Sequence, residues 1–246
     1  IRMYTHIKRA GVAGEFPIEE MLKIADERLK DGYTALKYSI IPPIKMVENP
    51  ENTYKHVERF RKVREKIGDK VDLAIDFHGR VSPAMAKRLI ELLKPYMPMF
   101  VEEPCLPENV DTMVNIARST TVPIAAGERL FSKWQYRELI EKQAVSIIQP
   151  DICHVGGIYE GRKLASMIEM YYGTVAPHNP LGPISLASCL QLDSACWSSA
   201  MMLSEIITFC ICPGLFSVAK LSIFFFITNE MCTFAYNTKH VNLLRI

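Results

Sequence analysis

Short apolar runs alternate with longer amphipathic stretches from the start of the chain to about Trp197. IRMYTHI reads as a first strand, and PIEEMLKIADERLKDGY as an amphipathic helix closed at Gly32. ALKYSII is a second strand, IPPIKMVENP a proline-rich loop, and ENTYKHVERFRKVREKIGDK a charged helix that Gly68 stops. VDLAIDF is the third strand. Ser82 then caps PAMAKRLIELLKPY, with Pro83 at the first helical position, where its missing N–H costs nothing. FVEEP, PIAAGE, SIIQPD and TVAPH continue as strands four to seven, separated by helices expected near 109–119, 132–142 and 157–172. Seven strand–helix units in a row predict an α/β fold, a (β/α)8 TIM-type barrel. An open doubly wound sheet is the runner-up, because strand order cannot be read from sequence.

Beyond Trp197 the alternation fails. IITFCICPGLFSVAKLSIFFFIT is apolar but broken by Pro213, Gly214 and Lys220, and the residues after it show neither helical nor strand period. A membrane span is one reading, since about 20 apolar residues cross a bilayer. The adjacent Pro and Gly, the Lys and the barrel upstream favour another, a C-terminus foreign to the parent fold. The expected organisation is a barrel domain over 1–196, incomplete at its eighth strand with two sheet edges exposed, and an atypical apolar tail over 197–246.

A chain of 246 residues is long enough for one large barrel core. Acidic and basic residues are mixed throughout and the net charge is +2, so neither nucleic acid nor a membrane surface is an expected partner. Seven cysteines without paired CxxC spacing, and no leader at the start, suggest reduced thiols in the cytoplasm. A homo-oligomer is compatible with all of this.

Three acids recur at a fixed interval. Asp76, Glu102 and Glu128 stand 26 residues apart, each closing an apolar run. Singly, such an acid caps a helix or pairs with a Lys or Arg. Three at equivalent strand ends converge on the mouth of a barrel, where hard oxygen ligands with room for water suit Mg²⁺. Glu102 is in step with the other two, whereas Glu103 is expected on the opposite side of the strand.

Two histidines belong to the same end. His78 follows Asp76 by two residues, so strand alternation turns it the same way. His178 ends the seventh strand between Pro177 and Pro180, and Asp151, ending the sixth, is placed to accept its ring N–H. Such a carboxylate fixes the tautomer and raises basicity, which suits a base for a weakly acidic proton. His154 is close to Asp151 in sequence, and Arg129 pairs either with a ligand carboxylate, with substrate or in a structural salt bridge. Singly, each histidine is as readily a satisfied structural residue.

AIDFHGR, FVEEP, PIAAGERL, IIQPDICHVGGI and APHNPLGPISLASCLQLD together resemble the barrel domain of the mandelate racemase group within the enolase superfamily, over about residues 1–193. The resemblance implies Mg²⁺ on Asp76, Glu102 and Glu128, His178 as general base with Asp151 as its partner, and His78 as general acid. It implies dehydration of a small-molecule sugar acid, an aldonate such as D-galactonate, to a 2-keto-3-deoxy acid through an enediolate. Relatives that racemise carry a Lys-x-Lys pair on the second strand; here Lys37 is followed at the second position by Ser39, which favours elimination. The family's capping domain before the first strand and its glutamate on the eighth are not recognisable, Glu205 having no motif around it. A catalytically weak or inactive paralogue or fragment that keeps the metal site is therefore the competing expectation.

Overall fold

The computed structural model describes residues 2–8, 15–38, 44–180, 182–196 and 207–210. The chain divides into two compact units, Ile1–Ile211 and Cys212–Ile246, and the second lies outside the described residues. So do Ser39, Glu205 and most of the apolar stretch for which a membrane reading was weighed. Among the described residues no helix is long and apolar enough to cross a membrane.

Strands β1 (Arg2–His6), β2 (Ala35–Tyr38), β3 (Asp72–Asp76), β4 (Val101–Glu102), β5 (Ile124–Ala126), β6 (Ile147–Ile148) and β7 (Thr174–Val175) pair in sequence order, all parallel. Helices α1 (Ile18–Lys30), α2 (Pro50–Ile67), α3 (Pro83–Leu93), α4 (Val110–Ala117), α5 (Lys133–Glu141) and α6 (Gly157–Glu169) connect them, and α7 (Pro183–Cys196) follows β7. Consecutive order with a helix in every crossover is the barrel pattern and excludes the doubly wound alternative, which reverses direction at a switch point.

An eighth strand, β8 (Ile207–Cys210), pairs in parallel with β1. It arises inside the stretch where periodicity fails, because a continuous apolar run carries no alternation by which to find a strand. The sheet order runs β7-β6-β5-β4-β3-β2-β1-β8, so among the described residues β7 and β8 are its two edges and the ring is not hydrogen-bonded shut. The incompleteness expected at the eighth strand is thus a gap on its β7 side.

Each of the first seven strand segments contributes one residue to a buried layer: Tyr4, Ala35, Ala74, Phe100, Ala125, Ile147 and Ala176. Four alanines leave room for the Tyr4 and Phe100 rings, which meet edge to face at 5.8 Å between centroids. This floor supports the C-terminal strand ends, where the βα loops gather.

Ser82 caps α3 as read from sequence, and Asn49, read as part of a loop, caps α2 in the same way. Asn49 and Ser82 accept from the amides three residues on, Asn52 and Met85, each with a proline at the start of the helix. Ser82 also donates to the Met46 carbonyl at 2.7 Å, tying the loop after β2 to the start of α3. Ser82→Ala removes both bonds and is expected to lower stability by about 1–2 kcal/mol in urea denaturation.

Candidate metal centre and active site

The β3–β4 register sets Asp76 directly opposite Glu102. Neighbouring strands are about 4.8 Å apart, so the two carboxylates share one neighbourhood. A third charged side chain enters from β2: Lys37 Nζ lies 2.5 Å from Glu102 Oε2 and 3.5 Å from Asp76 Oδ2, and all three groups are buried. Burial opposes ionisation of Glu102, but the Lys37 ammonium outweighs it and leaves this carboxyl below its ordinary pKa. Asp76 goes the other way, raised by burial and by the Glu102 charge beyond what Lys37 and His78 return.

His78 is where expected, for a different reason. β3 ends at Asp76, and His78 takes a left-handed conformation (φ 49°), so strand alternation does not place it. A tight turn does: the His78 amide donates to Asp76 Oδ1 at 2.8 Å. The conformation costs roughly 1–3 kcal/mol and is retained at this loop, as strained backbone at functional sites often is.

Glu103 corrects the sequence reading. It was expected to face away from the site, but β4 stops at Glu102 and Glu103 has φ 42°, so alternation no longer governs it. Its carboxylate comes to 3.3 Å from His78 Nδ1 and is gripped by Arg129, whose Nε and Nη2 donate at 2.7 and 2.8 Å. Of the alternatives for Arg129, the described contact is a salt bridge, to Glu103 and not to Asp76, Glu102 or Glu128. Gly79 (φ 61°) makes room for it, since a Cβ there would lie 2.6 Å from Arg129 Nη2. The Glu103 carboxylate is the largest influence raising the His78 pKa, although His78 Nδ1 makes no hydrogen bond.

Glu128 lies just beyond β5, between the two imidazoles: Oε1 is 3.4 Å from His78 Nδ1 and Oε2 is 3.3 Å from His178 Nε2. The turn holding it is braced by Tyr136, which donates to the Gly127 carbonyl at 2.7 Å. A backbone bridge joins Asp151 to His178, and His178 Nδ1 is 3.0 Å from Asp151 Oδ2, the pairing expected from sequence. Burial would raise the Asp151 pKa, and the His178 contact brings it below its ordinary value. His154 stands farther off, 3.9 Å from the same carboxylate, with its ring against Phe131.

Burial, joined by the charges of Glu102, Glu103 and Asp76, pushes the Glu128 pKa up to about 9 from about 4.5. An acid whose pKa is raised on folding adds stability that is complete below its unfolded value and is lost as pH climbs through the folded one. In chelator-treated buffer the melting temperature should therefore fall between about pH 4.5 and pH 9, and Glu128→Gln should flatten that slope; equal slopes in both proteins would refute the assignment.

The donor set fits a hard divalent cation. Glu102 Oε1 is buried without a hydrogen-bond partner, and burial together with the neighbouring carboxylates raises the Glu128 pKa to about 9, a penalty that a cation relieves. Asp76, His78 and Glu103 are the group that the described residues gather, with ligand atoms within 4.8 Å of one another; Asp76, Glu102 and Glu128 are not brought that close together. The oxygen set Asp76, Glu102 and Glu128 suits Mg²⁺ better, because imidazole is a poor ligand for it and both Glu103 oxygens already serve Arg129.

A sequential parallel barrel with acids on three successive strand ends and facing imidazoles defines a class, and the comparisons agree with it. The family described as "Enolase C-terminal domain-like" matches residues 20–209, and the chain belongs to the enolase superfamily, in its mandelate racemase group. It is similar to D-galactonate dehydratase of Ralstonia pickettii (strain 12J), 48% identical over 145 residues, which is 59% of this chain and 38% of that protein. The match thus spans well under half of the relative's length. Among solved structures, a mandelate racemase/muconate lactonizing enzyme-like protein from Rubrobacter xylanophilus DSM 9941 superposes with TM-score 0.78 at 27% identity, covering 87% of this chain and 58% of that one. One from Roseovarius sp. TM1035 gives 0.76 at 30% identity, covering 86% and 54%.

Proposed function

We propose that this chain carries the metal- and base-bearing half of a Mg²⁺-dependent sugar-acid dehydratase, acting on an aldonate such as D-galactonate. The observation that carries the reading is the placement of two imidazoles on either side of Glu128, His178 backed by Asp151 and His78 beside Glu103. Asp76, Glu102 and Glu128 would hold the ion. When bound, Mg²⁺ supplies the positive charge that offsets the negative charge developing on the substrate carboxylate.

His178 takes the C2 proton at Nε2, while Asp151 holds the proton on Nδ1 and stabilises the imidazolium that forms. His78, whose pKa the Glu103 carboxylate raises, delivers a proton to the departing 3-hydroxyl. Water leaves, and the enol tautomerises to the 2-keto-3-deoxy acid. Two residues after Lys37 the sequence has Ser39 where racemising relatives carry a second lysine, which fits elimination better than racemisation.

Incubation with D-galactonate and Mg²⁺ should yield a keto acid detectable as its semicarbazone, and EDTA should abolish it. A folded preparation that binds Mg²⁺ but converts no aldonate would instead support the second reading, a barrel that binds without turnover. That alternative draws on the absence, among the described residues, of a ladder between β7 and β8, and on the partial coverage of the dehydratase relative.

A further inference from the structure

Lys37 is among the largest fully buried side chains of the molecule, yet neither His78 nor His178 touches it in any contact described above. Its ammonium lies against Glu102 Oε2 and Asp76 Oδ2, two of the three carboxylates assigned to the ion. Of the four oxygens on this pair, Asp76 Oδ1 is taken by the His78 amide, two face Lys37, and Glu102 Oε1 is left buried without a hydrogen-bond partner. A divalent cation arriving at these carboxylates therefore meets a site that already contains a positive charge on a covalent tether.

We propose that Lys37 is a built-in competitor for the metal: its ammonium balances the carboxylate pair when no ion is bound and weakens the affinity for divalent cations when one is offered. The inference rests on the metal reading above and deepens it, by naming the residue that sets how tightly the ion is held. Two unit charges a few Å apart interact strongly even at an effective dielectric of about 20, so removing one must be felt by a cation at the same carboxylates. Nζ sits 2.5 Å from Glu102 Oε2 and 3.5 Å from Asp76 Oδ2, an ion-paired geometry that seats the competing charge on the carboxylates themselves. The arrangement favours reversible loading: the metal-free site is not left with bare adjacent carboxylates, and the ion is held less tightly than the acid count suggests.

The test compares the full chain with Lys37→Met and Lys37→Arg, by calorimetric Mg²⁺ titration and by melting temperature in chelator and in excess Mg²⁺. Titrations run at about pH 9, where protons compete least for the carboxylates. Lys37→Met should bind Mg²⁺ at least about tenfold more tightly than the wild type, melt lower in chelator and gain more from Mg²⁺, while Lys37→Arg, which keeps the charge, stays near the wild type. Equal or weaker binding by Lys37→Met would overturn the proposal, since a residue that merely positions the ligands weakens binding when removed. If Lys37→Met does not fold, Lys37→Gln takes its place. Folding of either variant only when Mg²⁺ is added supports the competition, and failure of both with and without Mg²⁺ refutes it. No Mg²⁺ binding by the wild type would fail the metal reading itself, and is distinguished by the three proteins being alike.

Discussion

His178→Asn is expected to stop exchange of the aldonate C2 proton with solvent deuterium and to lower turnover by about two to four orders of magnitude. The reason is positional. His178 Nε2 is the ring nitrogen turned toward Glu128, while Nδ1 is engaged by Asp151, so this imidazole presents one nitrogen to the centre and keeps the other for orientation. Asparagine matches much of the ring's bulk and leaves Asp151 a partner, so the melting temperature should stay within a few degrees of the wild type. His78→Asn separates the two steps, since C2 exchange should continue while dehydration fails. Exchange persisting in His178→Asn and vanishing in His78→Asn would reverse the two roles.

The largest effect on stability is expected from the floor of the barrel. Phe100 is fully buried just before β4 and packs against Tyr4 within a layer otherwise rich in alanine. Phe100→Ala leaves a cavity that four alanine neighbours cannot close, and should cost about 3–5 kcal/mol in denaturant unfolding. Phe100→Leu, which restores most of the volume, should recover more than half of that loss. Should Phe100→Ala unfold within about 1 kcal/mol of the wild type, this layer is not the support of the strand ends.

How much of this was legible depends on how each residue is held. The spacing of Asp76, Glu102 and Glu128 was readable because a strand–helix unit has a nearly fixed length, so equivalent strand ends recur at a fixed interval. The Asp151–His178 pair was readable for the same reason, one unit apart on adjacent strands. Glu103 was misread because alternation was carried past the end of β4, where one left-handed residue turns the side chain back. The signal was there in Pro104, which follows Glu103 and cannot continue the ladder as a donor. Lys37 was noted only as half of a lysine motif; its contact with Glu102 joins residues 65 apart in the chain and needs the register of three strands to be seen. The eighth strand hid in an apolar run whose composition suits a membrane as well as a barrel wall.

The bridge between Asp151 and His178 has a further consequence. His178 follows β7, which among the described residues is laddered to β6 alone, and its amide donates to Pro150 at 3.1 Å. Among the described residues, the group that would draw off the proton thus rides on a strand laddered on one side. Fraying there withdraws the imidazole while the rest of the wall stands, so heat inactivation should run ahead of global melting, and whatever seals that flank protects reactivity before it protects the fold.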